Sequence, residues 1–160
     1  MAGTYSQLYI QVVFAVKGRA NLIHASWKDE LYSYISGIIT EKGHKSIIVN
    51  GYTDHVHCFI GLKPAMALSD LVRDVKNSSS KFINSKGWVG GKFQWQEGFG
   101  AFSYGHSALD NVIAYIQNQK EHHKRIRFKD EYKTFLNKFQ IEYKDEYLFD
   151  WLENDRNKMN

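Results

Sequence analysis

Four side chains in this sequence have the types and spacing to do chemistry together. His55 and His57 flank Val56, and Tyr115 and Gln119 lie four residues apart. The histidines fall in Asp54-His55-Val56-His57-Cys58-Phe59-Ile60-Gly61-Leu62, where Val56, Cys58, Ile60 and Leu62 make one apolar row. Strict alternation of this kind predicts a strand with one face on a core, and residues two apart in a strand share a side. Two imidazoles then stand together on the face that is not aliphatic. Neutral imidazole is the commonest protein metal ligand, so the pair is a compact divalent-metal fragment. It also fits two hydrogen-bonded histidines without a metal, and two ligands do not make a site. Tyr115 and Gln119 share one helix face, with His122 a further turn along. Taken alone, such a tyrosine fits core filling equally well.

The elements that must position these groups are legible in order. Leu8, Ile10, Val12, Phe14 and Val16 alternate with Tyr9, Gln11, Val13 and Ala15, which predicts the first strand. Lys17-Gly18-Arg19 ends it. Ser26, with Asp29 three residues on, predicts a capped helix start, and Leu31, Tyr34, Ile35, Ile38 and Ile39 follow helical spacing to Gly43. Lys45 to Asn50 is a second strand, turned by Gly51-Tyr52-Thr53-Asp54 into the histidine strand as an antiparallel hairpin. Pro64 closes that strand. Leu68, Leu71, Val72, Val75, Ser79, Phe82 and Ile83 mark a second helix, whose other face carries Arg73, Lys76, Asn77 and Lys81. Phe93, Trp95, Phe99, Ala101 and Phe102 make a last, glycine-interrupted strand region.

The resulting order, β-α-β-β-α-β, predicts an α+β, ferredoxin-like split βαβ fold with a four-stranded antiparallel sheet. Ser107, with Asp110 as a second cap signal, starts an additional helix running through His122-His123. A short helix around Tyr132, Phe135, Leu136 and Phe139 follows. A tail then carries Tyr147, Leu148, Phe149 and Trp151, and residues 154–160 are expected to fray. No repeat or linker interrupts the pattern. One domain is expected over residues 1–160, with a core of about 5–125 and a helical tail of about 126–153.

Composition narrows the function classes. The 160 residues carry a net charge of +4, a mild basic bias compatible with nucleic acid. Aromatic residues make up 15% of the chain; such rings fill cores and also serve as platforms for unstacked bases. With Cys58 the single cysteine, no disulfide framework forms within one chain. No apolar run reaches membrane-spanning length and no signal-peptide pattern opens the chain, so a cytoplasmic protein is expected, with no membrane partner.

In combination the motifs resemble a known family. From about Tyr5 to about Trp151 the sequence is similar to the single-tyrosine HUH transposases of bacterial insertion sequences. These are the small TnpA-type enzymes and their relatives associated with repetitive extragenic palindromes. The His-hydrophobic-His motif stands as His55-Val56-His57. The family's opening strand stands as Val13-Phe14-Ala15-Val16-Lys17-Gly18-Arg19, and its tyrosine motif as Tyr115-Ile116-Gln117-Asn118-Gln119. Trp95-Gln96-Glu97-Gly98-Phe99-Gly100-Ala101-Phe102-Ser103 and His122-His123 resemble one branch of these proteins.

The resemblance implies Tyr115 as the nucleophile on a phosphodiester of single-stranded DNA, giving a 5′-phosphotyrosine and a free 3′-hydroxyl. It implies His55, His57 and Gln119 as ligands of Mg²⁺ or Mn²⁺, and a DNA hairpin at element ends as the partner. It also implies a homodimer, in which the tyrosine helix of one subunit can serve the histidines of the other, with Gly105 as a candidate hinge. Lys17, Arg19, Arg73, Lys76 and Lys81 are candidate DNA contacts on charge alone. Two alternatives remain at this point. One is a non-catalytic single-stranded nucleic-acid-binding module using Phe93, Trp95 and Phe99 as stacking platforms. The other is a domesticated relative acting on chromosomal palindromes. A zinc deaminase is disfavoured, because neither Cys-x-x-Cys nor His-x-Glu occurs.

Overall fold

A computed structural model of the chain describes residues 3–145 and 148. Tyr147, Phe149, Trp151 and residues 154–160, read as tail from the sequence, lie outside the described residues. The side chain of Arg19 lies outside them too. Four strands form one antiparallel sheet: β1 (Tyr9–Ala15), β2 (Lys45–Tyr52), β3 (His55–Gly61) and β4 (Gly100–Tyr104). Their spatial order is β2-β3-β1-β4. With α1 (Lys28–Glu41) after β1 and α2 (Leu68–Lys86) after β3, this is the expected split βαβ arrangement.

The alternation seen in the sequence divides the sheet into two buried faces. Val12, Phe14, Val16, Val56, Cys58 and Ile60 meet Leu31, Ile35 and Ile39 of α1 and Leu71, Val72, Val75 and Ile83 of α2. Each such side chain, fully buried, stabilises the fold by roughly 1.5–3 kcal/mol. Cys58 belongs to this layer, and burial pushes its thiol up to about 12. The opposite face, which carries the histidines, is not left to solvent. It is instead roofed by α3 (Leu109–Gln117), α4 (Gln119–His122) and α5 (Phe128–Lys138). Phe128, Tyr132, Phe135 and Leu136 of α5 pack there with Val13, Ala15 and Phe102, while Val112 and Ile116 of α3 pack on Phe59. Every residue from His55 to Ile60 is therefore buried.

Local geometry departs from the sequence expectations where tertiary contacts take over from local signals. Neither Ser26 nor Ser107 caps a helix: α1 starts after Trp27 with no side-chain cap, and a 3-10 turn over His106–Ala108 precedes α3. Gly105 has ordinary extended backbone (φ −78°, ψ 165°). The single helix expected from Ser107 to His123 breaks at Asn118 (φ −95°, ψ 21°) into α3 and α4. There the Asn50 side-chain amide donates to the Ile116 carbonyl at 2.8 Å and to that of Gln117 at 3.3 Å, tying the end of α3 to β2. The glycine-interrupted last strand resolves into an isolated bridge between Val16 and Trp95 and, after a turn at Gly98 (φ +83°), β4 itself.

The β2–β3 hairpin carries one irregularity with consequences for the site. Ser46 pairs with Ile60 but Ile48 pairs with Phe59, so Ile47 is an inserted bulge residue. A one-residue slip moves side chains to the other face. Beyond the bulge Asn50 lies opposite His57 and Tyr52 opposite His55, on the histidine face. At Gly51 the chains approach so closely that an added Cβ would sit 2.2 Å from the His55 carbonyl oxygen and 2.9 Å from the Val56 Cα. Backbone cannot yield as a side chain does. Gly51→Ala is therefore expected to cost about 1–3 kcal/mol, the usual range for overpacking. Denaturant unfolding of the purified variant checks this, and an unchanged midpoint would contradict the close approach.

Candidate active site

β3 delivers His55 and His57 to the roofed face, both fully buried. Their ring centroids are 5.1 Å apart. His55 stacks on Phe128 of α5 at 4.0 Å, with 7° between the planes. Its Nδ1 lies 2.7 Å from Asp54 Oδ1, so the N–H donates to a carboxylate and the Nε2 edge turns inward. His57 Nδ1 lies 2.9 Å from the Gln11 amide nitrogen, and the Gln11 oxygen accepts from the Tyr104 hydroxyl at 2.9 Å.

The helical roof brings the second pair to the first within one chain. Gln119, fully buried on α4, places Oε1 3.1 Å from His55 Nε2. Tyr115 on α3 stands edge-on to His57, with centroids 6.1 Å apart. Its hydroxyl donates to Glu131 and lies 3.1 Å from His122 Nε2.

Glu131 is the residue the sequence reading missed. It comes from α5 and is 3% exposed. Its Oε1 lies 3.1 Å from His57 Nε2, 3.3 Å from His55 Nε2 and 3.2 Å from His123 Nε2. Its Oε2 lies 3.3 Å from His122 Nε2. A signal was present, since Glu131 interrupts the apolar stripe of Phe128, Tyr132 and Phe135 on α5. An acidic group on a buried stripe requires a partner. His123, whose Nε2 is also 3.1 Å from Gln119 Oε1, was noticed as sequence but given no role. The sequence pattern places Asp54 at a turn and Gln11 on the first strand, with nothing to link either to an imidazole.

Electrostatics follow from this packing. Burial alone would raise the Glu131 carboxyl, but the surrounding imidazoles hold it well below the ordinary carboxylate range. Burial pulls His55 down, yet Asp54 and Glu131 outweigh it and push His55 up to about 9. Burial keeps His57 below its ordinary value. The Tyr115 phenol is pushed upward by burial first, then by the charge and hydrogen bond of Glu131. His55, His57, His123 and Glu131 each offer one ligand atom, all within 4.8 Å of one another, so the cluster could hold a metal ion.

The charge-based candidates divide. Lys17, Lys76 and Lys81 join Lys92 along a groove of about 660 Å³ between α2 and the Phe93–Glu97 segment. Lys76 Nζ is tied to the carbonyls of Gln96 and Gly98 at 2.7 and 2.6 Å, and Lys17 donates to Gln94 at 3.1 Å. Lys81 is exposed with no partner among the described residues. Arg73 is engaged by Asp70 and Asp74, both at 3.2 Å. Phe93 and Trp95, offered above as base platforms, are 0% and 9% exposed and belong to the core under α2.

The chain matches the family described as Transposase IS200 like over residues 4–119. No curated protein matches it. Among solved structures it is similar to a candidate transposase from Deinococcus radiodurans R1, with 21% identity and a TM-score of 0.60. That match covers 74% of this chain and 95% of the other. It is also similar to a REP-associated tyrosine transposase bound to a REP hairpin, with 15% identity and a TM-score of 0.57. There the match covers 79% of this chain and 74% of the other. At those identities the neighbours show the fold, a four-stranded antiparallel sheet with helices. The family match spans most of the chain, including the imidazole pair, the phenol and the Gln119 amide: this protein belongs to the IS200-like transposases.

Proposed function

We propose that the protein cleaves and rejoins single-stranded DNA through a 5′-phosphotyrosine intermediate, with Tyr115 as nucleophile and Mg²⁺ or Mn²⁺ held by His55, His57 and Gln119. The observation that carries this reading is the meeting of the Tyr115 phenol with the buried imidazole pair inside one chain. The phenol oxygen forms a bond to phosphorus while the bond from phosphorus to the 3′ oxygen breaks, and the 3′-hydroxyl leaves with a proton. The bond energy is kept in the phosphotyrosine, so the 3′-hydroxyl of another strand end can reverse the step. The phenol's own proton has two acceptors at hand, Glu131 and His122. A homodimer, which the resemblance implies, is not needed to assemble these groups.

The donor set fits a divalent ion. Neighbouring ligands around a cation with bonds of about 2.1 Å are roughly 3 Å apart. The inward nitrogens and oxygens here are spaced at 3.1–3.3 Å, a spacing that hydrogen bonds also satisfy. His55 turns Nε2 inward, because its Nδ1–H donates to Asp54, and offers that lone pair once an incoming ion displaces the proton that Asp54 and Glu131 favour. His57 does so once the Gln11 amide turns by half a rotation. The Gln11 oxygen then accepts from Nδ1–H and the Tyr104 hydroxyl accepts from the amide. When bound, the ion would polarise a phosphate oxygen as a Lewis acid and favour the phenolate. The groove with Lys17, Lys76, Lys81 and Lys92 is the proposed path of the DNA backbone.

The binding-module reading loses two of its three stacking platforms, since Phe93 and Trp95 are buried and only Phe99 stays partly exposed. A non-catalytic module also has no use for a phenol set against buried imidazoles.

Four outcomes are expected. Tyr115→Phe should abolish the covalent protein–DNA adduct on a denaturing gel with Mn²⁺ and retain oligonucleotide binding, while His55→Ala should lose metal-dependent cleavage. An adduct from the Phe variant would remove the nucleophile. Gln11→Leu, which strips His57 of its Nδ1 partner, should weaken Mn²⁺ binding roughly 10–100-fold by calorimetry; unchanged affinity would show that this partner sets nothing. Lys81→Ala should lower the slope of log affinity against log salt by about 0.7 for single-stranded DNA, and an unaltered slope would take Lys81 off the DNA path.

A further inference from the structure

A second cavity opens beside the proposed nucleophile. It holds about 570 Å³, lies between β4, α3 and α5, and is walled mainly by apolar surface. Tyr115 and the buried Glu131 both line it. Its walls carry the rings of Tyr104, Phe135 and Phe139. Tyr104 and Phe139 meet edge to face at 5.5 Å, and Phe135 stands edge-on to Tyr115 at 5.7 Å. The rim is polar. Asn111 is exposed with no hydrogen-bond partner among the described residues, and the Lys138 ammonium lies 5.7 Å from the Phe139 ring centre.

These features point to one ligand chemistry. A phosphodiester that reaches the Tyr115 hydroxyl carries a nucleoside on each side, and this cavity is the space that Tyr115 itself lines. Tyr115 is partly buried under α5, so a stacked duplex does not reach it. The strand has to arrive with its bases unstacked. A flat ring with apolar faces and polar edges matches aromatic walls with an amide at the mouth. The volume lies inside the 300–1,000 Å³ typical of small-ligand sites.

We infer that this cavity is a nucleobase pocket: an unpaired base flanking the scissile phosphate inserts among Tyr104, Phe135 and Phe139 when the phosphate lies against Tyr115. The base thereby holds the phosphate in register with the phenol, and Asn111 reads its edge. This rests on the strand-cleavage reading above.

The test is an abasic scan on the full chain. Single-stranded oligonucleotides that form the adduct with Mn²⁺ are remade with one base removed at a time, and kcat/KM for adduct formation is measured. Removal of one flanking base should cost between about fivefold and a hundredfold, the range for losing one base–aromatic stack. Removal at distant unpaired positions should cost little. In Phe139→Leu the flanking penalty should shrink to about twofold or less, because the intact strand has already lost the contact. Normal adducts with no flanking penalty, or an undiminished penalty in the Phe139 variant, overturn the pocket and leave the cleavage reading standing. Absence of adduct on every strand overturns both.

Discussion

A carboxylate buried among imidazoles governs this structure. Leaving Glu131 without partners would cost several kcal/mol, because its hydration is lost and little replaces it. The nitrogens of His55, His57, His122 and His123 within 3.3 Å supply the compensation. That one interaction fastens α5 over the sheet. It also bears on the resting state of the phenol, whose hydroxyl donates to the same carboxylate and is held protonated by burial and by that charge. In the proposed reading a divalent ion among the same nitrogens would take over the compensation of Glu131, which weakens the hold of the carboxylate on the phenol.

The fold serves this arrangement through small devices. The bulge at Ile47 places Asn50 and Tyr52 on the imidazole face. Asn50 then ends α3 by capping its last carbonyls, which sets Tyr115 above His57. Tyr52 stacks against His123, with centroids 5.4 Å apart. Gly100 performs a matching task on β4: an added Cβ would lie 2.8 Å from the Tyr132 ring, so α5 can settle only over a bare position. The site is thus held from the sheet side and the helix side together.

Strict alternation in β1 and β3 and the apolar stripes of α1 and α2 made the sheet and its order legible, because those patterns follow from local geometry alone. The imidazole pair and the Tyr115–Gln119 pair were legible for the same reason, since period two and period 3.6 fix which side chains share a face. What stayed hidden depended on contacts between distant segments. No local rule places Glu131 of α5 against β3, or tells Gln11 that its neighbour is His57. The helix break at Asn118 follows from an amide 68 residues earlier, at Asn50. The aromatic content misled in one respect, as Phe93 and Trp95 fill the core under α2.

In the proposed reading the inward imidazole nitrogens hold a cation beside the phenol. Pulsed electron paramagnetic resonance of the Mn²⁺-loaded protein reads it most directly, through coupling of the metal to nitrogen. Coupling to at least two imidazole nitrogens is expected, lost when His55 and His57 are both replaced by alanine. A spectrum of fully hydrated Mn²⁺ in the unaltered protein, or one unchanged by that double substitution, would contradict it.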